Sequence, residues 1–421
     1  MTMQATIEKD AYLTQLLEIL PMLPTDFSWL SELRDRASAI VRQSKFPTTR
    51  DEEWRFTNLS ALRQIQFNNV ETSVSPSPDV AIPEAESRLV FVNGVYAPTL
   101  SAVNVPNGVI VGNLTSLPVH LRSYLAQVEG AEEVFTALNT AGMTDAAVVW
   151  VAANVIVESP IQVVFLTTDA TFSQPRCLVI AESSSQVTLV EEYRSLSTNS
   201  YFTNAVTEIW LSENAHVNHN RIECEGAKAI HIGKTATSQA KHSQYTCNSI
   251  AFGSKISRHN LQVYQTGEQT ETTLNGLTMI AQEQLAATHS LISLKYPHGK
   301  TRQLHKCIVG DRAHAVFNGK VFVPKMAQLT DAGQLNRNLL LSPKARVDTK
   351  PQLEITADNV KCSHGATVSQ LEDDEIFYLQ SRGLDKDNAR NLLINAFAVE
   401  IINQIPLASL RQTLTTAVSQ Y

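Results

Sequence analysis

Hydrophobic spacing changes character twice along the chain. Leu13, Leu16, Leu17 and Leu20 fall at three- and four-residue steps, the stripe of a short amphipathic helix. Leu30, Leu33, Ala37, Ile40 and Val41 repeat that spacing and predict a second helix over 27–43. Pro21 and Pro24 part the two, because proline has no amide proton to give to a helix interior. A loop at 46–52 leads into the compact string DEEWRFTNLSAL at 51–62. From 68 to 87, Pro76, Pro78 and Pro83 stand among Ser, Thr and acidic residues, the composition of an extended connector.

From about 148 to 368 the helical spacing disappears. Short runs rich in Val, Ile, Thr, Leu and Tyr take its place, among them 161–167, 177–182, 187–191, 206–211, 229–232, 274–280 and 315–323, with Gly or Asn between them. Such runs without helices predict a sandwich, a barrel or a solenoid. These strands carry much Thr, Ser, Asn, Gln and His where a sandwich shows clean apolar alternation, and Asn-Gly hairpin signals are sparse. Both features favour a β-helix, whose coils bury their faces only against the coils above and below. No strict residue repeat accompanies it.

Helical spacing returns at the end. A short helix over 373–382 is closed by Gly383, a residue suited to the left-handed C-terminal cap. Asp385 is a good N-cap for a second helix carrying Ala389, Leu392, Leu393, Ala396, Phe397, Glu400 and Ile401, which Pro406 stops. Leu407, Leu410, Leu414 and Val418 trace a third. Capping the solenoid and holding a partner are both open roles for these helices. The expected division is a helical region at 1–67, a connector and mixed segment at 68–147, a β-helix core at 148–368 and a helical region at 369–421.

Composition narrows the function classes. The chain has 421 residues, 43% hydrophobic and 18% charged, within the ordinary globular range and long enough for two or three structural regions. A net charge of -7 without a dense Lys/Arg run gives no footprint for nucleic acid or an anionic membrane. The first residues lack the marks of a secretion signal or transit peptide, so a cytoplasmic location is expected. The longest uncharged apolar stretch, 146–157, is too short to span a bilayer and rich in β-branched residues. Five scattered cysteines without a CxxC pair fit reduced thiols better than a disulfide framework or a structural zinc site.

Catalytic motifs are near misses. Gly233-Lys234-Thr235 ends like a phosphate-binding loop, but Lys228 stands where that loop requires glycine. GxSxG, HExxH and GxGxxG are absent. His216 and His219, three apart, fall on opposite faces of a strand and cannot share a metal there. His305 and Cys307, two apart, share a face and suit a pair of ligands, although a buried cysteine serves equally well as a small hydrophobe. Cys362-Ser363-His364-Gly365 is the best candidate: a thiol and an imidazole on one strand face suit iron or an iron-sulfur cluster, and Gly365 lets a backbone approach. Two ligands do not complete a tetrahedral site. Either a partner chain supplies the others, or Cys362 is core and His364 surface.

The strings VFNGKVFVPKMAQLTDAGQLNRNLLLS, DTKPQLEITADNVKCSHGAT, FYLQSRGL and NAFAVEIINQI, with DEEWRFTNL near the start, resemble the SufB/SufD family. TKPQLEI followed by KCSHGAT is similar to its SufD branch. The resemblance implies a right-handed parallel β-helix between helical regions, acting as a non-catalytic part of an iron-sulfur cluster assembly scaffold and contributing to iron acquisition. It implies pairing with a SufB-type sister and one SufC-type ATPase on the C-terminal helices, where Phe377, Arg382, Gly383, Leu392 and Phe397 are the contact candidates. It places His364, with Cys362 beside it, at the sister interface, around a nascent cluster shared between subunits. A reduced flavin bound by the complex, and a homodimer of the chain when alone, are further implications. Two departures stand out: Leu329 replaces the family's lysine, and Cys307 falls where glycine is usual. Two rivals remain, a SufB-like scaffold accepting sulfur on its own Cys307 or Cys362, and a carbohydrate-active β-helix enzyme. The latter calls for clustered acids in a cleft and usually a secretion signal, and the sequence displays neither.

Overall fold

A computed structural model describes residues 10–67 and 80–420. Most of the connector expected at 68–87 lies outside the described residues. Strands of about ten residues alternate between two sheets, so each pairs in parallel with the strand one full coil away. The sheets therefore face each other along a parallel β-solenoid. Sheet A runs from Ser87–Val92 through Ile161–Thr167 and Gln186–Ser195 to Lys361–Gln370, and sheet B from Val109–Gly112 to Arg346–Ile355. Ser87–Val92 and Val109–Gly112, both from the segment 68–147, thus join the sheets.

Coil length varies, with in-register partners from 26 residues apart at Ile230 and Ile256 to 32 at His314 and Arg346. What repeats is backbone conformation. Asn154, Ser184, Asn214, His242, Gln269, His298 and Leu329 all have left-handed φ at the same corner. Each sends its N–H to a carbonyl one coil on, from Asn154 to Ser183 and finally from Leu329 to Asn359. Leu329 adopts a conformation uncommon for a branched side chain and stays half exposed.

The lumen is apolar at the first end, where Phe165 stacks on Tyr193 at 5.3 Å and meets a tilted Phe91 at 5.4 Å, each ring one coil from the next. Both sheets also bury much of their outer faces. Helices Ala11–Glu18 and Ser31–Gln43, with Trp54, cover sheet B through Phe202, Ile230, Ile232 and Ile256. The predicted 27–43 helix opens as a 3-10 segment, Thr25–Leu30, a common start for an α-helix. Helices Lys386–Ile402 and Ala408–Ser419 cover sheet A, placing Ile394, Ala398 and Ile401 against Ile222, Ile250 and Leu277. Each such aliphatic side chain contributes roughly 1.5–3 kcal/mol by leaving water, so these helices are part of the core. Among the described residues, no helix is long and apolar enough to cross a membrane.

Candidate functional site

The site lies where the solenoid stops. Among the described residues, Lys361–Gln370 pairs only with Asp331–Leu340 in its sheet, and Arg346–Ile355 only with His314–Val323 in the other. Each leaves one edge bare. In a parallel strand alternate residues donate to the same neighbour, so the parity of the bare amides follows from the first bond. The Lys361 N–H donates to Thr330 O; those of Cys362, His364, Ala366 and Val368 therefore face outward. On the other strand the Arg346 N–H donates to Ala313 O, which makes position 351 an outward one. That position is Pro351. The sheet B edge is notched where proline sits most comfortably, whereas the sheet A edge keeps its donors.

Cys362 and His364 share the lumen-side face of the open strand, two residues apart. Parallel register puts Leu189, His219, Cys247, Leu274, Gln303, Gln334 and His364 in one column, with His364 at its uncovered end. Cys362 follows Ala332 in the neighbouring column, is half-buried and packs on the end of the core. Burial raises its thiol above the ordinary range, Asp331 adding to the rise and an amide hydrogen bond from Ala332 opposing it. His364 is exposed. It lines a cavity of about 530 Å³ with Gln303, Asp331, Gln334 and Gly365.

The other histidine candidates sit inside. His305 and Cys307 share a buried face: His305 stacks on Phe317 at 5.0 Å and bonds Thr278 at 3.2 Å, while Cys307 lies among Ile280, Ala286 and Val309. Burial holds His305 near pKa 4 and pushes the Cys307 thiol up to about 12. A neutral imidazole beside a protonated thiol makes this a packing pair. His219 is buried, and His216 falls on the opposite face. Burial opposes a charge on His219, but the hydrogen bonds its ring nitrogens give to Cys247 Sγ and to the Glu191 carboxylate outweigh it and raise the imidazole to about 9. Lys234 lies in the strand Ile230–Gln239 with Nζ on Gly130 O, so the apparent phosphate-loop remnant is β-structure.

The buried charges of the middle coils escaped the sequence reading. Glu223, Glu225 and His231 have ligand atoms within 4.8 Å of one another, a possible metal cluster by proximity. Its donors are already engaged. His231 gives Nδ1–H to Glu225 at 2.7 Å and receives Arg221 at Nε2 at 2.6 Å, and Glu223 accepts the Ser254 and Ser257 hydroxyls. Burial lowers His231 to about 4 and raises Glu225 to about 8, which favours this hydrogen-bonded arrangement over an ion. The legible signal was period two: Val217, His219, Arg221, Glu223 and Glu225 alternate with residues of the opposite face.

The C-terminal helices present a second surface. Phe377 is 72% exposed, Tyr378 57% and Leu392 50%. Arg382 lies over the Tyr378 ring at 5.4 Å, and Gly383, with φ +98, closes Asp373–Ser381. Phe397 differs. Its ring is half-buried beneath Lys306 Nζ at 4.3 Å, and its carbonyl accepts from the same amine, which also pairs with Glu400.

The described residues thus form a two-sheet parallel solenoid with one bare end and helices on its flanks. Residues 164–397 match the SufBD core domain of the SUF system for FeS cluster assembly, and residues 22–163 match the SufBD protein N-terminal region. The chain is 50% identical to an iron-sulfur cluster assembly SufBD family protein of Synechocystis, over 98% of this chain and 95% of that one. It is 31% identical to the iron-sulfur cluster assembly protein SufD of Escherichia coli over 89% of each, and 26% identical to SufD of Bacillus subtilis over 93% and 94%. The chain belongs to the SufB/SufD family of iron-sulfur cluster assembly proteins.

Proposed function

We propose that this chain is the SufD-type, non-catalytic subunit of a cluster assembly scaffold. Its open sheet A edge docks a SufB-type sister, its C-terminal helices hold a SufC-type ATPase, and His364 with Cys362 contributes to the nascent cluster, which is cargo. The observation that carries this reading is the pairing of a bare, proline-free edge with a thiol and an imidazole on its face. Main-chain donors supply affinity for an added strand, while side chains on its face supply specificity. A ligand set divided between two chains can be opened by a small rigid movement, which suits a cluster that must be built and then released. Without a sister, the same edge would pair two copies of the chain.

Co-expression with SufB-type and SufC-type partners tests it. The expected result is a three-component complex binding iron and sulfide under anaerobic isolation, with His364→Ala impairing maturation of iron-sulfur enzymes while the complex still assembles. Unimpaired maturation would remove His364 from the site. For the ATPase surface, Phe377→Asp with Leu392→Asp should lower ATPase capture at least about tenfold, the effect of losing one interface anchor, without changing the melting temperature. Point changes are the proper probe, since deleting these helices would uncover the sheet A face they bury.

A further inference from the structure

The column that ends at His364 contains an unfinished hydrogen-bond chain. Ser290 bonds Gln303, whose Nε2 lies 2.9 Å from Ser290 Oγ, and Gln334 Nε2 donates to Gln303 Oε1 at 2.8 Å. Both glutamine amides point their N–H groups back into the lumen, Gln334 towards Gln303 and Gln303 towards Ser290. Gly319 packs against the same amide so closely that a Cβ there would come within 2.4 Å of Gln334 Nε2. The side chain is only 3% exposed, and its Oε1 is buried without a hydrogen-bond partner.

A buried acceptor left unmatched costs about 1–3 kcal/mol, so a donor within reach will be drawn to it. The carbonyl and amino groups of a side-chain amide diverge from one carbon. With Nε2 turned back towards Gln303, Oε1 turns towards the next coil, where register places His364 directly opposite. Adjacent strands lie about 4.8 Å apart, a span an imidazole covers by rotating its side chain. Asp331, the carboxylate lining this cavity, has its Oδ2 engaged by Arg302 at 2.8 Å.

We infer that Gln334 is the positioning residue for His364: its Oε1 accepts a ring N–H, which fixes the neutral tautomer and leaves the other ring nitrogen, with its lone pair, directed out of the open end. The inference rests on the proposed role of His364 and adds the means by which a solvent-exposed imidazole becomes a preorganised ligand. Metal-binding histidines are commonly oriented through their second nitrogen in this way. The amide is itself held in place by Gln303 and Gly319, so the orientation derives from the rigid lumen.

The test is the tautomer ratio of His364 in the full chain, read from ring nitrogen shifts of histidine-labelled protein at a pH where the imidazole is neutral, with His364→Gln assigning the signal. One tautomer should dominate in the parent. Gln334→Met, which keeps volume and removes the acceptor, should move the ratio about fivefold or more towards that of a free imidazole, the population change one hydrogen bond sustains. Gln334→Glu, which restores an acceptor, should recover the parent tautomer. An unchanged ratio in Gln334→Met overturns the inference, as does a parent ratio equal to that of free histidine. Should Gln334→Met fold poorly, the parent ratio and Gln334→Glu still decide. This readout involves no partner and no iron, so the ratio can respond as expected even where His364→Ala leaves maturation intact, and the two ideas fail separately.

Discussion

The two ends of the solenoid are built on opposite principles. At the first end each sheet closes with a short strand running against the others: Val95–Tyr96 turns back on Ser87–Val92, and Val109–Gly112 lies antiparallel to Ala147–Val151. A parallel coil cannot continue past a reversed strand, and aromatic rings fill the lumen behind it. The last end has no reversal. Two ten-residue parallel strands finish it, and the lumen behind them adds the amides of Gln303 and Gln334 to a wall of Val321, Val323 and Ala332. Proteins usually blunt an exposed edge. The unblunted edge that carries a thiol and an imidazole is the feature on which the proposed joint with a sister subunit rests.

The largest effect should come from neighbouring prolines on that edge. Gly365→Pro removes an N–H that parity assigns to the ladder with Gln334, and should destabilise the fold by about 3 kcal/mol. Ala366→Pro removes an outward donor, and should leave the melting temperature nearly unchanged while abolishing capture of the SufB-type partner. Thermal melts beside pull-downs check both. Equal behaviour of the two variants would break the parity argument, and retained capture in Ala366→Pro would move the joint elsewhere.

A smaller effect probes the polar lumen behind the open end. Burial depresses His305 from 6.5 to about 4. A base whose folded pKa is lowered contributes stability that is present above its unfolded pKa and lost as pH falls through the window from about 6.5 to 4. His231 and His289, also lowered to about 4, add in the same direction. His219, raised to about 9, has the opposite sign: its contribution is complete below 6.5 and is lost as pH rises through 9. Denaturant midpoints should therefore fall in mild acid, and His305→Gln should lessen the drop by on the order of 2 kcal/mol at pH 4. An identical acid slope in the variant would mean that His305 is hydrated rather than sealed.

How far the sequence reveals this depends on whether a signal is local. Ile161–Thr167 is legible to the residue, because a β-branched run follows Pro160, and Asp385 is legible as the cap that accepts from Asn388 N–H. The coil repeat is hidden, since the shared corner demands a left-handed backbone rather than an identity: Asn, Ser, His, Gln and Leu all fill it. The inner charges are hidden for a related reason. A strand alternating His219, Arg221 and Glu223 with Asn220 and Ile222 reads as half solvated, and only closure of the solenoid with helices outside it buries both faces. At the site, the motif at Cys362 and His364 was visible, whereas Gln334 was not, because its meaning lies in its own unmatched oxygen and in a histidine one coil away. Phe377 and Phe397 look alike on a helical stripe, yet one faces solvent and the other holds Lys306.

The smallest effect belongs to the sealed end. Asn93 and Gly94, with φ of +52 and +86, form the two-residue turn that reverses the chain there, a geometry that fits the twist of paired strands and favours this dipeptide. A Cβ at position 94 would meet nothing closer than the Gln174 backbone at 3.6 Å, so Gly94→Ala meets no clash and the cost is that of a left-handed alanine, about 1 kcal/mol. Hydrogen exchange should quicken at Phe91 and Tyr96, whose rings lie 5.5 Å apart across the hairpin, and stay unchanged at Lys361–Gln370. In a solenoid each coil touches only its neighbours, so partner capture at the far end should be indifferent to the change. A fall in capture with this variant would show the two ends to be coupled through the stack, and the contrast between a stop and a joint would give way to one cooperative body.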